Sequence, residues 1–132
     1  MTEPIVFISH FRVKTGALDA YRRLHRDVAR ALEADKPRTL AFLTYLDPTG
    51  TQVTTIHVFA DAGSMDLHVE GAEKRSTAAY ELIVPEGWEI YGAPSDQAVD
   101  SVRKAASASG ATVNLQAEYV GGFLRSATPT VR

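Results

Sequence analysis

Apolar residues in this chain recur with two periods, and the periods exchange along its length. From Ile5 to Lys14 (IVFISHFRVK) β-branched and aromatic residues predominate, with Ile5, Phe7, Phe11 and Val13 on one face and Val6 and Ile8 on the other. The segment reads as a strand, and a strand apolar on both faces is usually covered on both. The period then lengthens. Leu18, Tyr21, Leu24, Val28, Ala31 and Leu32 form one helical stripe, opened by Thr15 and Gly16 and stopped by Pro37. Arg22, Arg23, Arg26, Asp27, Arg30 and Glu33 fall mostly off that stripe and read as a solvated surface. Leu40 to Leu46 (LAFLTYL) and Val53 to Phe59 (VTTIHVF) return to strand, joined by Asp47-Pro48-Thr49-Gly50, a sequence suited to a type I turn.

Beyond this hairpin, Asp61 or Ser64 caps a short helix carrying Met65, His68 and Val69. Gly71 interrupts it, and a second helical piece is predicted from Ala72 to Leu82. Pro85, Glu86 and Gly87 are expected to turn ahead of a short strand from Trp88 to Tyr91. Pro94 and Ser95 open a further helix with Ala98, Val99, Val102 and Ala105 on one side, and Gly110 closes it. Thr112 to Val120 alternates apolar with polar and reads as a strand with one polar face, interrupted by Gly121 and Gly122. Residues 126–132 are expected to form a flexible tail.

The first six elements have the order of a ferredoxin-like βαββαβ unit. The predicted fold class is therefore α+β: a ferredoxin-like unit with an extra C-terminal helix and strand, one domain over residues 1–125. Such a sheet carries its helices on one face. The chain has no spare element for the other face, so a partner's sheet is the economical cover, which predicts a homodimer.

Composition narrows the function classes. The chain has 132 residues, of which 45% are hydrophobic and 23% charged, with a formal net charge of −2. These values suit one packed domain and offer no basic face for nucleic acid. The absence of cysteine removes disulfides, thiolate nucleophiles, iron–sulfur clusters and Cys-type zinc sites. The N-terminal residues lack the basic start and apolar core of a signal peptide, and no apolar stretch has the length of a membrane span, so a cytoplasmic protein without membrane contact is expected. There is no Gly-x-Ser-x-Gly elbow, no phosphate-cradling loop and no His-Glu-x-x-His helix, so neither a metal nor a nucleophile is predicted.

In element order and size the chain resembles the antibiotic biosynthesis monooxygenase-like group of the dimeric α+β barrel superfamily. The likeness rests on the strand at Ile5–Val13, the helix at Ala17–Leu32, the hairpin around Asp47-Pro48-Thr49-Gly50, and Val53–Phe59 running into the Met65-Asp66-Leu67-His68 helix. It spans most of residues 4–124. It implies two sheets closing a barrel between subunits and a cavity in each subunit between sheet and helices. Its members include oxygenases that need no cofactor and haem-degrading enzymes. The haem-degrading members imply a helix histidine on iron, a position that His68 would match. They also imply an Asn on the first strand and a Trp on the third, where this chain has Ser9, His10 and Ile56-His57-Val58-Phe59.

Four histidines carry the candidate chemistry. His25 lies within the apolar stripe of the first helix, His68 follows Met65 by three residues, and His57 shares a strand face with Thr55 and Phe59. His10 points with Ile8 and Arg12. In one reading His57 and His68 meet across the gap between strand and helix and form a catalytic pair. A partly buried neutral imidazole there would take a proton from a phenolic or enolic substrate. The resemblance then implies that the resulting carbanion reacts with dioxygen without a cofactor. A flat aromatic or polyketide-like ligand would need apolar walls and a few polar anchors, for which Tyr45, Tyr80, Trp88, Tyr91 and His25 are the candidates. In the competing reading each histidine sits at the edge of the core, satisfied by a backbone carbonyl, and the protein binds a small molecule or partner without catalysis.

Overall fold

The computed structural model describes residues 3–125; the expected tail at 126–132 lies outside them. Nine elements follow in order: β1 (Ile5–Val13), α1 (Leu18–Asp35), β2 (Thr39–Leu46), β3 (Gln52–Phe59), α2 (Ala62–Val69), α3 (Ala72–Ala79), β4 (Ile83–Tyr91), α4 (Asp96–Ser109) and β5 (Thr112–Gln116). One five-stranded sheet runs in the order β2-β3-β1-β4-β5. Its first four strands pair antiparallel in the ferredoxin-like arrangement, and β5 is added beside β4 in parallel, after the crossover through α4. No helix among the described residues is long and apolar enough to cross a membrane.

Local chemistry explains the boundaries. The Asp47 carboxylate accepts hydrogen bonds from the backbone N–H groups of Thr51 and Gln52, both at 3.0 Å, and the Gly50 N–H closes the turn on the Asp47 carbonyl at 3.0 Å. The β2–β3 hairpin is thus tied by the residue that the turn sequence put first. At the start of α2 it is Asp61 that caps, accepting from the Ser64 N–H at 2.8 Å and the Ser64 hydroxyl at 2.7 Å.

Three expectations change. Pro85, Glu86 and Gly87 do not turn: β4 runs through them, and its register with β1 steps from Phe11 opposite Pro85 to His10 opposite Gly87, leaving Glu86 as a bulge. Proline is tolerated because β5 joins β4 only from Gly87 onward, so Pro85 has a neighbouring strand on one side alone. The α3 helix stops at Ala79, where Leu82 N–H tightens onto the Ala79 carbonyl at 2.8 Å. Strand β5 stops at Gln116 and not at Val120, because its partner β4 ends opposite that residue.

The two faces of the sheet differ. Ile5, Phe7, Ser9 and Val13 of β1, with Val53, Thr55, His57 and Phe59 of β3, are buried beneath the helices. The core beneath them is in two parts. One gathers Ile5, Phe7, Phe59, Met65, Trp88, Ile90 and the buried side of α4; the other gathers Val13, Tyr21, Val53 and Ile83. The opposite face carries no helix among the described residues. Across it Leu43, Ile56 and Ile8 are cross-strand neighbours, as are Val58 and Val6, and the β1 and β3 members are half-buried. The same face carries a polar cluster in which His10 Nε2 bonds Glu89 and the Tyr91 hydroxyl donates to the other Glu89 oxygen.

Candidate active site

Helix α1 stands away from the sheet. Only Tyr21 and Leu32 of its apolar stripe are buried, while Leu24, His25 and Val28 are half-buried and line a cavity of about 700 Å³ between α1, α3, α4 and the sheet. Its lining draws on both parts of the core. The floor is the inner face of β1 and β3, with Phe7, Ser9 and Phe11 on one strand and Thr55 and His57 on the other. The volume falls within the range of pockets that enclose a small organic ligand.

His57 is the best-defined polar group. Its side chain is buried, and Nδ1 lies 3.0 Å from the carbonyl oxygen of Phe7 on the neighbouring strand. A carbonyl only accepts, so Nδ1 carries the hydrogen and Nε2 keeps the lone pair. Burial pushes the pKa of His57 down to about 4, against the pull of the Phe7 carbonyl, with smaller contributions from the Arg75 and His25 charges. The ring is neutral at pH 7.

His68 reaches the same place from the other side. Its carrier helix α2 follows β3 directly, and Asp61 fixes where that helix begins. The His57 and His68 rings are 5.0 Å apart between centroids with their planes at 76°. Thr39 Oγ1 lies 2.7 Å from His68 Nδ1. Burial, then the neighbouring His57, Arg75 and Lys36 charges, lower the His68 pKa to about 3. His25 completes the histidine set: it stacks on Phe42 at 5.3 Å, and Phe42 meets His57 edge-on at 5.2 Å. Burial lowers the His25 pKa as well.

Of the residues singled out in the sequence, His57, His68, His25, Tyr80 and Trp88 line this one cavity. Trp88 packs edge-on against Phe11 at 6.2 Å, and Phe11 lies 6.5 Å from Tyr80, which makes an aromatic wall remote in sequence from the histidines. Tyr45 and Tyr91 are not brought to it. Tyr45 is paired with Thr54 and Tyr91 with Val6, on the sheet face that has no helices. The period of 2 along a strand is the physical reason: Thr44 and Ile90 face the helices, so the residues after them face away.

Three contributors were not read from the sequence: Phe42, Thr39 and Arg75. Phe42 was legible in principle, since the β2–β3 register puts it opposite His57, beside the Thr55 that strand alternation had already placed on that face. Thr39 and Arg75 were not, because each meets His68 only through the tertiary fold. Arg75 Nη2 donates to the His68 carbonyl at 2.7 Å and Nη1 to the Glu70 carbonyl at 2.9 Å. No group of three histidine, aspartate or glutamate side chains with metal-binding geometry occurs among the described residues.

No family model matches the chain, and no curated protein matches it in sequence. Solved structures do match. MupZ from Pseudomonas fluorescens superposes with a TM-score of 0.70 at 18% identity, covering 98% of this chain and 95% of its own. SnoaB, a cofactor-independent oxygenase from Streptomyces nogalater, gives 0.58 at 19% identity over 70% of this chain and 95% of its own. A candidate antibiotic biosynthesis monooxygenase from Caulobacter crescentus gives 0.60 at 14% identity over 67% and 88%. The likeness is one of backbone and not of sequence, and with MupZ it extends over nearly the whole length of both chains. The chain therefore has the fold of the antibiotic biosynthesis monooxygenase-like proteins.

Proposed function

We propose that the protein is a small cofactor-independent monooxygenase, or a close chemical relative, acting on an aromatic or polyketide-like molecule held between sheet and helices. The observation that carries this reading is the tautomer of His57: with Nδ1–H held by the Phe7 carbonyl, Nε2 is a fixed proton acceptor in an aromatic cavity. A phenolic or enolic proton passes to Nε2, and the electron pair left on the substrate adds to dioxygen. A C–O bond forms, the proton returns to give a hydroperoxide, and loss of water from it leaves a carbonyl that keeps one of the two oxygen atoms. An imidazole with a pKa near 4 is a weak base toward a neutral product. An enolate beside it restores basicity, because the imidazolium formed on proton transfer sits against an anion. His68 stands next to it as the second polar group, and His25, Tyr80 and Trp88 supply ring surface.

The low pKa values also favour a second reading, in which the neutral histidines hold the hydroxyl groups of a ligand that is bound and not transformed. Oxygen uptake separates the two. With a panel of enolisable aromatic ketones and polyphenols, the enzyme reading expects dioxygen consumption that His57→Ala and His68→Ala each abolish. Turnover at the wild-type rate in both variants would remove the proposed site, and binding without uptake would establish the second reading.

The same reading includes a homodimer closed through the helix-free sheet face. Its support is the apolar row Leu43, Ile56 and Ile8 with Val58 and Val6 beside it, which no element of this chain covers among the described residues.

A further inference from the structure

Arg75, on α3, is half-buried and is one of the residues that line the cavity. Its Nη1 and Nη2 each give one hydrogen to a carbonyl at the end of α2, and these two bonds hold the group in one orientation. A guanidinium has five N–H donors, so each terminal nitrogen keeps one hydrogen and Nε keeps its own. No carboxylate lies within ion-pair distance of it among the described residues; the ion pairs there are His10–Glu89, Arg12–Glu86 and Arg38–Asp61. The other charged lining residues, Glu73 and Lys104, are exposed.

A half-buried cation without an acidic partner is costly unless something compensates it. The two helix-end carbonyls do so in part, through their dipoles. The nearby imidazoles do not, since both are neutral at pH 7 and supply no negative charge. The cavity therefore combines aromatic surface from Phe11, Phe42 and Trp88 with one half-buried positive charge, which the exposed Glu73 carboxylate in the same lining does not approach to ion-pair distance.

We propose that the cavity takes an aromatic anion: a flat ring system bearing a carboxylate or an equivalent acidic oxygen group, with that group on Arg75 and the rings against the aromatic lining. This rests on the reading of the cavity as the ligand site and adds the charge class of the ligand. Arginine suits the task because its planar donors meet an oxyanion at two points, which a lysine ammonium does not reproduce.

Two fluorescent probes with the same rings test it: 1-anilinonaphthalene-8-sulfonate, an anion, and N-phenyl-1-naphthylamine, which is uncharged. On the wild-type protein the anion is expected to bind at least about tenfold more tightly than the uncharged probe, a charge-assisted contact. Arg75→Gln is expected to bring the two within about twofold of each other while leaving the uncharged probe's affinity unchanged, and Arg75→Lys to keep part of the preference. Retained binding of the uncharged probe shows that the cavity still forms, although Arg75 also ties the end of α2. A measurement on the wild-type protein alone guards against a variant that does not fold: 2-naphthoate is expected to displace the uncharged probe at least about tenfold better than 2-naphthol at pH 7.

Equal affinity for the two probes on the wild-type protein would overturn the inference and leave the cavity as a neutral-ligand site. So would an anion preference that survives Arg75→Gln but is lost in Arg26→Gln, since the arginines on the surface of α1 would then be the binding group. Binding of neither probe would overturn the cavity reading itself and this inference with it.

Discussion

The imidazoles of His57 and His68 stand 5.0 Å apart, nearly perpendicular, and neither has a carboxylate partner among the described residues. Each is held at Nδ1, one by a main-chain carbonyl and one by a threonine hydroxyl. Paired rings of this kind cannot both be protonated at low cost, and they have no anion to offset the charge. Their chemistry at neutral pH is that of two hydrogen-bonding bases.

This arrangement makes stability depend on pH. In the unfolded chain both rings take protons near pH 6.5, whereas in the folded protein they resist until about 4 for His57 and about 3 for His68. Between those limits the unfolded state binds more protons, so stability falls as pH falls. The loss begins near pH 6.5 and is complete below the folded values. Where both groups are engaged the slope approaches about 2.7 kcal/mol per pH unit. Urea midpoints measured from pH 7.5 to 4.5 are expected to drop accordingly, and His57→Gln, which keeps a donor for the Phe7 carbonyl, is expected to flatten the curve by about half. A midpoint independent of pH in this range would contradict the neutral buried pair.

Thr39 holds the His68 ring. Thr39→Val keeps the shape and removes the hydroxyl 2.7 Å from Nδ1. The ¹⁵N shifts of His68 are expected to report one tautomer in the wild-type protein and a mixture in the variant. Loss of the bond is expected to cost about 1 kcal/mol of stability. Unchanged ring shifts would mean that packing against Phe42 and Phe59, at 6.2 and 5.2 Å, is enough to orient the ring.

Asp61 sets the start of the helix that carries His68. Asp61→Ala is expected to destabilise the protein by about 1 kcal/mol, and Asp61→Asn by less, since an amide oxygen still caps. The exposed Arg38–Asp61 pair contributes little of this, so the effect is expected to persist at high salt. A salt-sensitive loss would reassign the energy to the ion pair.

Gly92 closes β4 with φ at +110°, and a Cβ there would come within 2.8 Å of the Pro4 carbonyl oxygen and 3.3 Å of the Ile5 Cα. Both obstacles are backbone, and the backbone conformation itself disfavours a side chain. Gly92→Ala is expected to cost at least about 2 kcal/mol in urea unfolding. A neutral result would show that the entry to β1 can move.

The helix-free sheet face offers an assembly test. Ile56→Asp places a charge at the centre of the apolar row between Leu43 and Ile8. Light scattering is expected to give a dimer for the wild-type protein and a monomer for the variant, with folded circular dichroism in both. A wild-type monomer at micromolar concentration would leave that face without the partner proposed for it.

Much of the architecture was legible because single residues mark it: Pro37 after α1, Asp47 at the hairpin, Asp61 before α2 and Gly110 after α4. The strand through Pro85 was not, since a bulge beside a locally unpaired edge is a property of neighbouring strands and not of the segment. The site divides in the same way. His57 and Trp88 follow from strand parity, and Tyr45 and Tyr91 would have been set aside had that parity been applied to the aromatic residues. The approach of Thr39 and Arg75 to His68 depends on how α2 and α3 lie against the sheet, which no local pattern encodes.

The hydrogen bond from His57 to the Phe7 carbonyl has an implication for genetics. The acceptor is an atom that every amino acid possesses, so no substitution at position 7 deletes it. A mutational scan would score Phe7 only for its ring and would miss the group that fixes the His57 tautomer. Replacing the peptide linkage after Phe7 with an ester, by chemical ligation, alters that carbonyl and leaves every side chain in place. Sequence drift among descendants of this chain can therefore change the walls of the cavity widely while the orientation of its central base is inherited with the strand itself.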